Sequence, residues 1–182
     1  KELAAYLQSL GLKPGYRVAI MMPNLLQYVI AMYACLRAGY IVVNINPLYT
    51  SREVNGTLRD SEAKAIIIIE NFAKTLQNAL PGTKCEHIIT TAVGDLFPFF
   101  KRTLVNFVVR KVKKMVPEYS LPNAVGFNEA LEIGRRHGFT AHEIHNTDIA
   151  FLQYTGGTTG VAKGAILTHR NLLANLQQVG YW

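Results

Sequence analysis

Ala65-Ile66-Ile67-Ile68-Ile69 is the run that decides the fold. Five consecutive apolar residues, four of them β-branched, offer nothing to a solvent side and suit a strand covered on both faces. Helix signals border it. Upstream, Thr50-Ser51-Arg52-Glu53 is a capping box, whose Thr hydroxyl and Glu carboxylate satisfy free amides at the start of a helix ending near Ser61. Downstream, Asn71 is read as the cap of a helix that runs to Leu80, where Pro81-Gly82 breaks it before a second strand, His87–Thr91.

Further out the alternation persists. A helix through Leu10 and a turn at Lys13-Pro14-Gly15 lead to an apolar strand over residues 17–22. Pro23 and Asn24 open a helix with Leu25, Leu26, Val29, Met32, Tyr33 and Leu36 on one side, and Gly39 ends it before a strand over residues 40–45. Apolar strands alternating with helices predict an α/β protein with a mostly parallel sheet flanked by helices. Three stretches follow: α/β units over 1–93, an insertion of helices and loops over 94–146, and a strand, loop, strand and helix over 147–182. The opening Lys1-Glu2-Leu3-Ala4-Ala5-Tyr6-Leu7 reads as the middle of an amphipathic helix, as in a piece of a longer protein.

Composition narrows the function classes. With 49% hydrophobic and 17% charged residues in 182 positions, the chain has enough apolar surface for an ordinary core and is no disordered tail. Cys35 and Cys85 form no C-x-x-C pair, so a reducing, cytoplasmic setting is expected. Nineteen basic residues against twelve acidic ones give a net charge of +7, which favours an anionic partner. An aromatic-rich basic RNA-binding motif is missing, so nucleic acid is not the expected one. No apolar run approaches the roughly 18 residues of a membrane span.

Residues 149–154 form an apolar stretch leading into Tyr154-Thr155-Gly156-Gly157-Thr158-Thr159-Gly160-Val161-Ala162-Lys163-Gly164. Glycines let backbone amides converge on an anion, threonine hydroxyls add donors, and lysine adds a compact positive charge. A plain glycine turn would have no use for Thr155, Thr158, Thr159 and Lys163 together. The P-loop of kinases and GTPases is excluded, because Val161 and Ala162 separate Gly160 from Lys163 and Gly164 stands where a Ser or Thr would hold magnesium.

This loop resembles the phosphate-binding signature of the adenylate-forming superfamily, commonly Thr-Ser-Gly-Thr-Thr-Gly-x-Pro-Lys-Gly. Here Gly156 replaces the Ser and Ala162 the Pro, departures similar to the bacterial long-chain fatty acyl-CoA synthetase branch. The flanks agree: Ala165-Ile166-Leu167-Thr168-His169-Arg170-Asn171-Leu172 after it, Met22-Pro23-Asn24 and Leu36-Arg37-Ala38-Gly39 before it, and Val43-Asn44-Ile45-Asn46-Pro47-Leu48-Tyr49-Thr50. Tyr16 departs from the acid that many relatives carry after the turn glycine.

The resemblance implies part of the large N-terminal domain of an adenylate-forming enzyme. Such enzymes join a fatty acid to the α-phosphorus of ATP, release pyrophosphate, and pass the acyl group to coenzyme A. It implies that Tyr154 to Gly164 hold the ATP phosphates, with Thr158 near Mg2+. It also places the adenine-side motif, the ribose Asp, the hinge and the catalytic Lys far downstream, whereas eighteen residues follow Gly164. No catalytic residue is therefore expected within these 182, and the stretch alone is not expected to ligate. Two other readings stay open: an adenylating ligase for another carboxylic acid, and a non-enzymatic basic membrane-binding module.

One segment is unexplained by the loop. From Leu104, a helical projection gathers Val105, Val108, Val109, Val112, Met115 and Val116 on one arc and Asn106, Arg110, Lys111, Lys113 and Lys114 on the other, with Phe107 misplaced. Phe97, Phe99, Phe100, Lys101 and Arg102 precede it. This reads either as a surface helix packing its Val and Leu on its own domain, or as a helix lying in a membrane interface. On the second reading Lys101, Arg102, Arg110, Lys111, Lys113 and Lys114 would meet anionic headgroups on the inner face of the cell membrane. His142-Glu143-x-His145 lacks the H-E-x-x-H spacing of a metal helix, and Thr168 with His169 is read as a helix cap. Uncovered sheet edges or apolar faces would favour a homo-oligomer.

Overall fold

The computed structural model describes residues 1–155 and 163–180. Seven strands form one sheet: β1 (Arg17–Met21), β2 (Ile41–Asn44), β3 (Ala65–Ile69), β4 (His87–Thr91), β5 (Ala124–Gly126), β6 (Ile149–Thr155) and β7 (Lys163–Thr168). Their order is β5-β4-β3-β1-β2-β6-β7. Every neighbouring pair is parallel except β6 and β7, which form an antiparallel ladder at one edge. The run that predicted a doubly covered strand is β3, and all five of its residues are buried.

Two apolar layers account for that burial. On one face α1 (Glu2–Ser9), α2 (Leu26–Arg37) and α6 (Phe127–His137) pack on Val18, Ile20, Val42, Ile67 and Ile89. On the other, α3 (Ser51–Ser61) and α4 (Ala73–Ala79) pack on Ala19, Met21, Val43, Ile66 and Ile68. Successive residues of a strand point to opposite faces, so each central strand must be apolar throughout. Contact between α1 and α6 is close enough to need glycine: a Cβ on Gly134 would lie 1.9 Å from the Glu2 carbonyl oxygen.

The capping box of α3 forms as predicted. Glu53 N–H donates to Thr50 Oγ1 and Thr50 N–H donates to a Glu53 carboxylate oxygen, a motif worth about 1 kcal/mol. Asn71, by contrast, is no cap. It lies in a 3-10 turn, Glu70–Phe72, that precedes α4, and its amide donates to the Met115 carbonyl. The stripe on α2 is also turned: Leu26, Val29 and Tyr33 are exposed, while Gln27, Ala31, Ala34 and Cys35 are buried. Small side chains let the helix lie close to the sheet, and Gln27 is accommodated because its amide donates to the Ala92 carbonyl.

Within 94–146, α5 (Phe99–Phe107) continues into a π-helical turn, Val108–Val112. The sheet then resumes at β5, a strand of three half-buried residues that the sequence reading did not place. The amphipathic arcs expected for this segment form in part: Val105, Val108, Val109 and Val116 are half-buried and Arg110, Lys111, Lys113 and Lys114 are exposed, but four residues turn the other way. Asn106, assigned to the solvated arc, is buried, whereas Leu104, Val112 and Met115 of the apolar arc are exposed. A regular projection assumes one α-helix; the wider π-turn shifts the phase after Phe107, and before it Asn106 is drawn inward by its hydrogen bonds to Gly94 and Asp95.

Candidate functional site

In an open parallel sheet, ligands bind beyond the carboxyl ends of the strands where adjacent connections leave for opposite faces. Here α2 leaves β1 on one face and α3 leaves β2 on the other. A cleft of about 410 Å³ opens at that point, lined by Ile20, Met22, Asn24 and Tyr28, by Asn44, Ile45, Asn46 and Tyr49, and by Gln153 and Tyr154. Its floor is polar. Tyr28 Oη donates to Asn44 Oδ1 at 3.1 Å and Asn44 Nδ2 donates to Gln153 Oε1 at 2.9 Å. Asn44 and Gln153 are register partners across β2 and β6, so the ladder itself fixes this contact.

β6 and β7 flank the predicted phosphate loop in sequence, and Gln153 and Tyr154 of β6 line that cleft. Tyr154 and Thr155 end β6, while Lys163 and Gly164 begin β7, with Thr155 opposite Lys163 and Tyr154 opposite Gly164. Lys163 is exposed. Gly156, Gly157, Thr158, Thr159, Gly160, Val161 and Ala162 lie outside the described residues, and with them Thr158 as a metal contact.

The hairpin base is anchored to α3. Tyr154 is buried, and its hydroxyl donates to Asp60 Oδ2 at 2.5 Å. Burial first, and the adjacent Asp60 carboxylate second, raise the phenol well above the usual tyrosine range. Gly164 gives the Tyr154 ring room: a Cβ there would lie 3.1 Å from Tyr154 Cζ, a tight contact that the ring would have to relieve by shifting. Thr168 caps α7 (His169–Gly180) as expected, accepting from the Asn171 N–H at 3.4 Å while its own N–H donates to Asn171 Oδ1 at 2.9 Å.

Sequence reasoning missed Asp60 as the partner of Tyr154 and Tyr28, Asn44 and Gln153 as the polar lining of the cleft. A signal was available for two of them. Asn44 and Gln153 are polar residues near the carboxyl ends of otherwise apolar strands, where a sheet of this kind places ligands.

The basic segment lies elsewhere, beside β3, β4 and β5. Asn106 Oδ1 accepts from the Gly94 N–H at 2.8 Å and its amide donates to Asp95 Oδ1 at 3.1 Å. Arg110 makes a two-pronged ion pair with the buried carboxylate of Glu70, Nε and Nη2 lying 2.9 and 2.7 Å from Oε2. Lys101 stacks over Phe97 and Arg102 over Phe99, at 4.3 and 5.6 Å from the ring centroids. Lys111, Lys113 and Lys114 are exposed. No helix among the described residues is long and apolar enough to cross a membrane.

Comparison with known proteins reaches the whole chain. It is 58% identical over 180 residues to a long-chain-fatty-acid–CoA ligase of Salmonella typhimurium, covering 98% of this chain and 32% of that protein. A Bacillus subtilis enzyme of the same name is 39% identical over 182 residues, again with 32% of it covered. The chain thus spans about a third of the length of these curated relatives. Among solved structures, a long-chain-fatty-acid-CoA ligase from Archaeoglobus fulgidus aligns with a TM-score of 0.69 and 29% identity, covering 98% of this chain and 30% of that one. An anthranilate CoA ligase aligns with a TM-score of 0.73 at 23% identity, over 97% of this chain and 29% of that one, and shares the fold. The family described as AMP-binding enzyme matches from residue 1 to residue 182, so the chain belongs to that family.

Proposed function

We propose that the whole protein is an ATP-dependent long-chain fatty acid–CoA ligase, and that these residues form the part of it that receives the ATP phosphates. The observation that carries the reading is the 58% identity to such a ligase over 98% of the chain. The chemical problem is charge: a carboxylate must approach the α-phosphorus of a polyphosphate, and the resulting negative charge must be stabilised as pyrophosphate leaves. Backbone amides of Gly156, Gly157 and Gly160, hydroxyls of Thr155, Thr158 and Thr159, and the Lys163 ammonium supply donors of the right kind. Tyr154 and Gly164 hold the two ends of that loop together. Mg2+, when bound with ATP, would neutralise phosphate charge, with Thr158 the residue offered to it. Coenzyme A takes the acyl group in the second half-reaction, and the setting is the cytoplasm with peripheral contact to the cell membrane.

The 182 residues alone are expected not to turn over, since they correspond to about a third of the relatives. The test is fatty-acid-dependent pyrophosphate release by the full-length protein. Lys163→Ala and Thr158→Ala are each expected to lower kcat/KM by about 10²-fold or more, the scale for losing one donor to a developing oxyanion. Release with no acid of any length, or release indifferent to both changes, would overturn the reading.

A further inference from the structure

The face of α5 and the π-turn that looks away from the sheet is apolar and basic at once. Phe99, Phe100, Leu104, Phe107, Val112 and Met115 are all more than half exposed. Over residues 96–117 there are six basic side chains and no acidic one. Arg110 is taken up by Glu70, which leaves Lys101, Arg102, Lys111, Lys113 and Lys114 around the apolar residues.

This orientation is imposed from inside. Asn106 is locked to Gly94 and Asp95, and Arg110 to Glu70, so the segment is fastened to the domain by its polar residues and cannot turn its phenylalanines inward without breaking both attachments. An amphipathic helix left to its own preferences would do the opposite.

We propose that this face is a membrane-docking surface that seats on an anionic lipid leaflet. The occupant follows from charge. A covering protein surface of ordinary composition would have to desolvate five cations, whereas a leaflet of anionic headgroups over acyl chains matches both the lysines and the exposed rings. Phe97 and Phe99 lie under Lys101 and Arg102, a pairing that keeps cation and ring at one depth, as an interface requires. The surface does not depend on the ligase reading, because lipid binding is measured without ATP or fatty acid.

The experiment is co-sedimentation of the full-length protein with vesicles of phosphatidylcholine, alone or mixed with phosphatidylglycerol. Wild type is expected to bind the mixed vesicles and to be released by salt. Changing Lys111→Gln, Lys113→Gln and Lys114→Gln together is expected to weaken binding about 100-fold, roughly fivefold per charge. Phe100→Ser with Phe107→Ser is expected to weaken it at least about tenfold. Lys13→Gln with Arg136→Gln, remote exposed cations, should leave it at the wild-type level, and urea midpoints should match throughout. Equal binding to neutral and anionic vesicles, or equal weakening by the remote pair, would overturn the proposal. So would a dimer, seen by sedimentation velocity, that the phenylalanine changes abolish while lipid binding persists, because a second copy would then cover the face.

Discussion

Among the described residues, two of the regions that turn apolar residues to solvent differ in the charges around them. The hairpin of β6 and β7 with α7 sits at one edge of the sheet, and α5 with its π-turn sits against the strands at the other. On α7, Leu173, Leu176 and Val179 are about half to two-thirds exposed, and the intervening residues are neutral Asn, Ala and Gln. On α5 and the π-turn the exposed rings are ringed by lysines. Apolar exposure alone therefore says little about what covers a surface; the charges interleaved with it say more. The neutral face suits burial under further protein, in keeping with relatives about three times as long. The basic face suits lipid.

The sharpest way to break this contrast is to truncate α7. Leu176→Ala is expected to cost about 2–5 kcal/mol in the full-length protein, the range for a buried Leu, and to change the isolated 182-residue chain by no more than about 0.5 kcal/mol. Urea unfolding of both forms measures it. Equal, small effects in the two would mean that α7 stays uncovered and that the neutral face is no interior surface.

Next in size is the attachment of the basic segment. Arg110→Ala strands the Glu70 carboxylate, which is 4% exposed, without its partner. Breaking a buried pair costs about 3–5 kcal/mol, but the Arg110 side chain is half exposed and water will reach part of the gap, so about 1–3 kcal/mol is expected. Asn106→Leu should cost about 1–2 kcal/mol by leaving the Gly94 N–H unpaired and removing one donor from Asp95 Oδ1. Were Asn106→Leu neutral or stabilising, the segment would not be held polar side inward, and its outward phenylalanines would need another cause.

The same contrast separates what could be read in the sequence from what could not. β3 was legible to the residue, because a parallel strand covered on both faces needs an unbroken apolar run, and β4 was legible from its β-branched residues after the Pro81-Gly82 break. The two strands that flank residues 156–162 were legible through composition. What failed were the faces of helices. In α2 and in α5, size and hydrogen bonding overrode the apolar stripe: Ala31, Ala34 and Cys35 fit against the sheet where Leu26 and Tyr33 would not, and Asn106 was drawn inward by a loop amide. Periodicity reports that a helix has two faces, and only the partner surface decides which one turns in. Asp60 was missed for a related reason. It is a charged residue near the end of an amphipathic helix, indistinguishable in sequence from a solvated one until Tyr154 arrives from 94 positions away.

That contact gives the smallest expected effect and tests how the hairpin edge is secured. Tyr154→Phe removes one hydrogen bond to a carboxylate and should cost about 1–2 kcal/mol near neutral pH. Its pH dependence has a definite sign. The folded phenol titrates above its unfolded counterpart, so below pH 10 both states keep the proton and the stabilisation is fully present. As pH rises past 10 the unfolded chain loses that proton first, and the contribution fades as the folded value is approached. The gap in urea midpoint between wild type and Tyr154→Phe should therefore be constant from neutrality to about pH 9 and narrow above pH 10. A gap that persists unchanged in strong alkali would mean that the hydroxyl is not the proton donor to Asp60, and that the ring packed on Gly164 holds the base of the loop by itself.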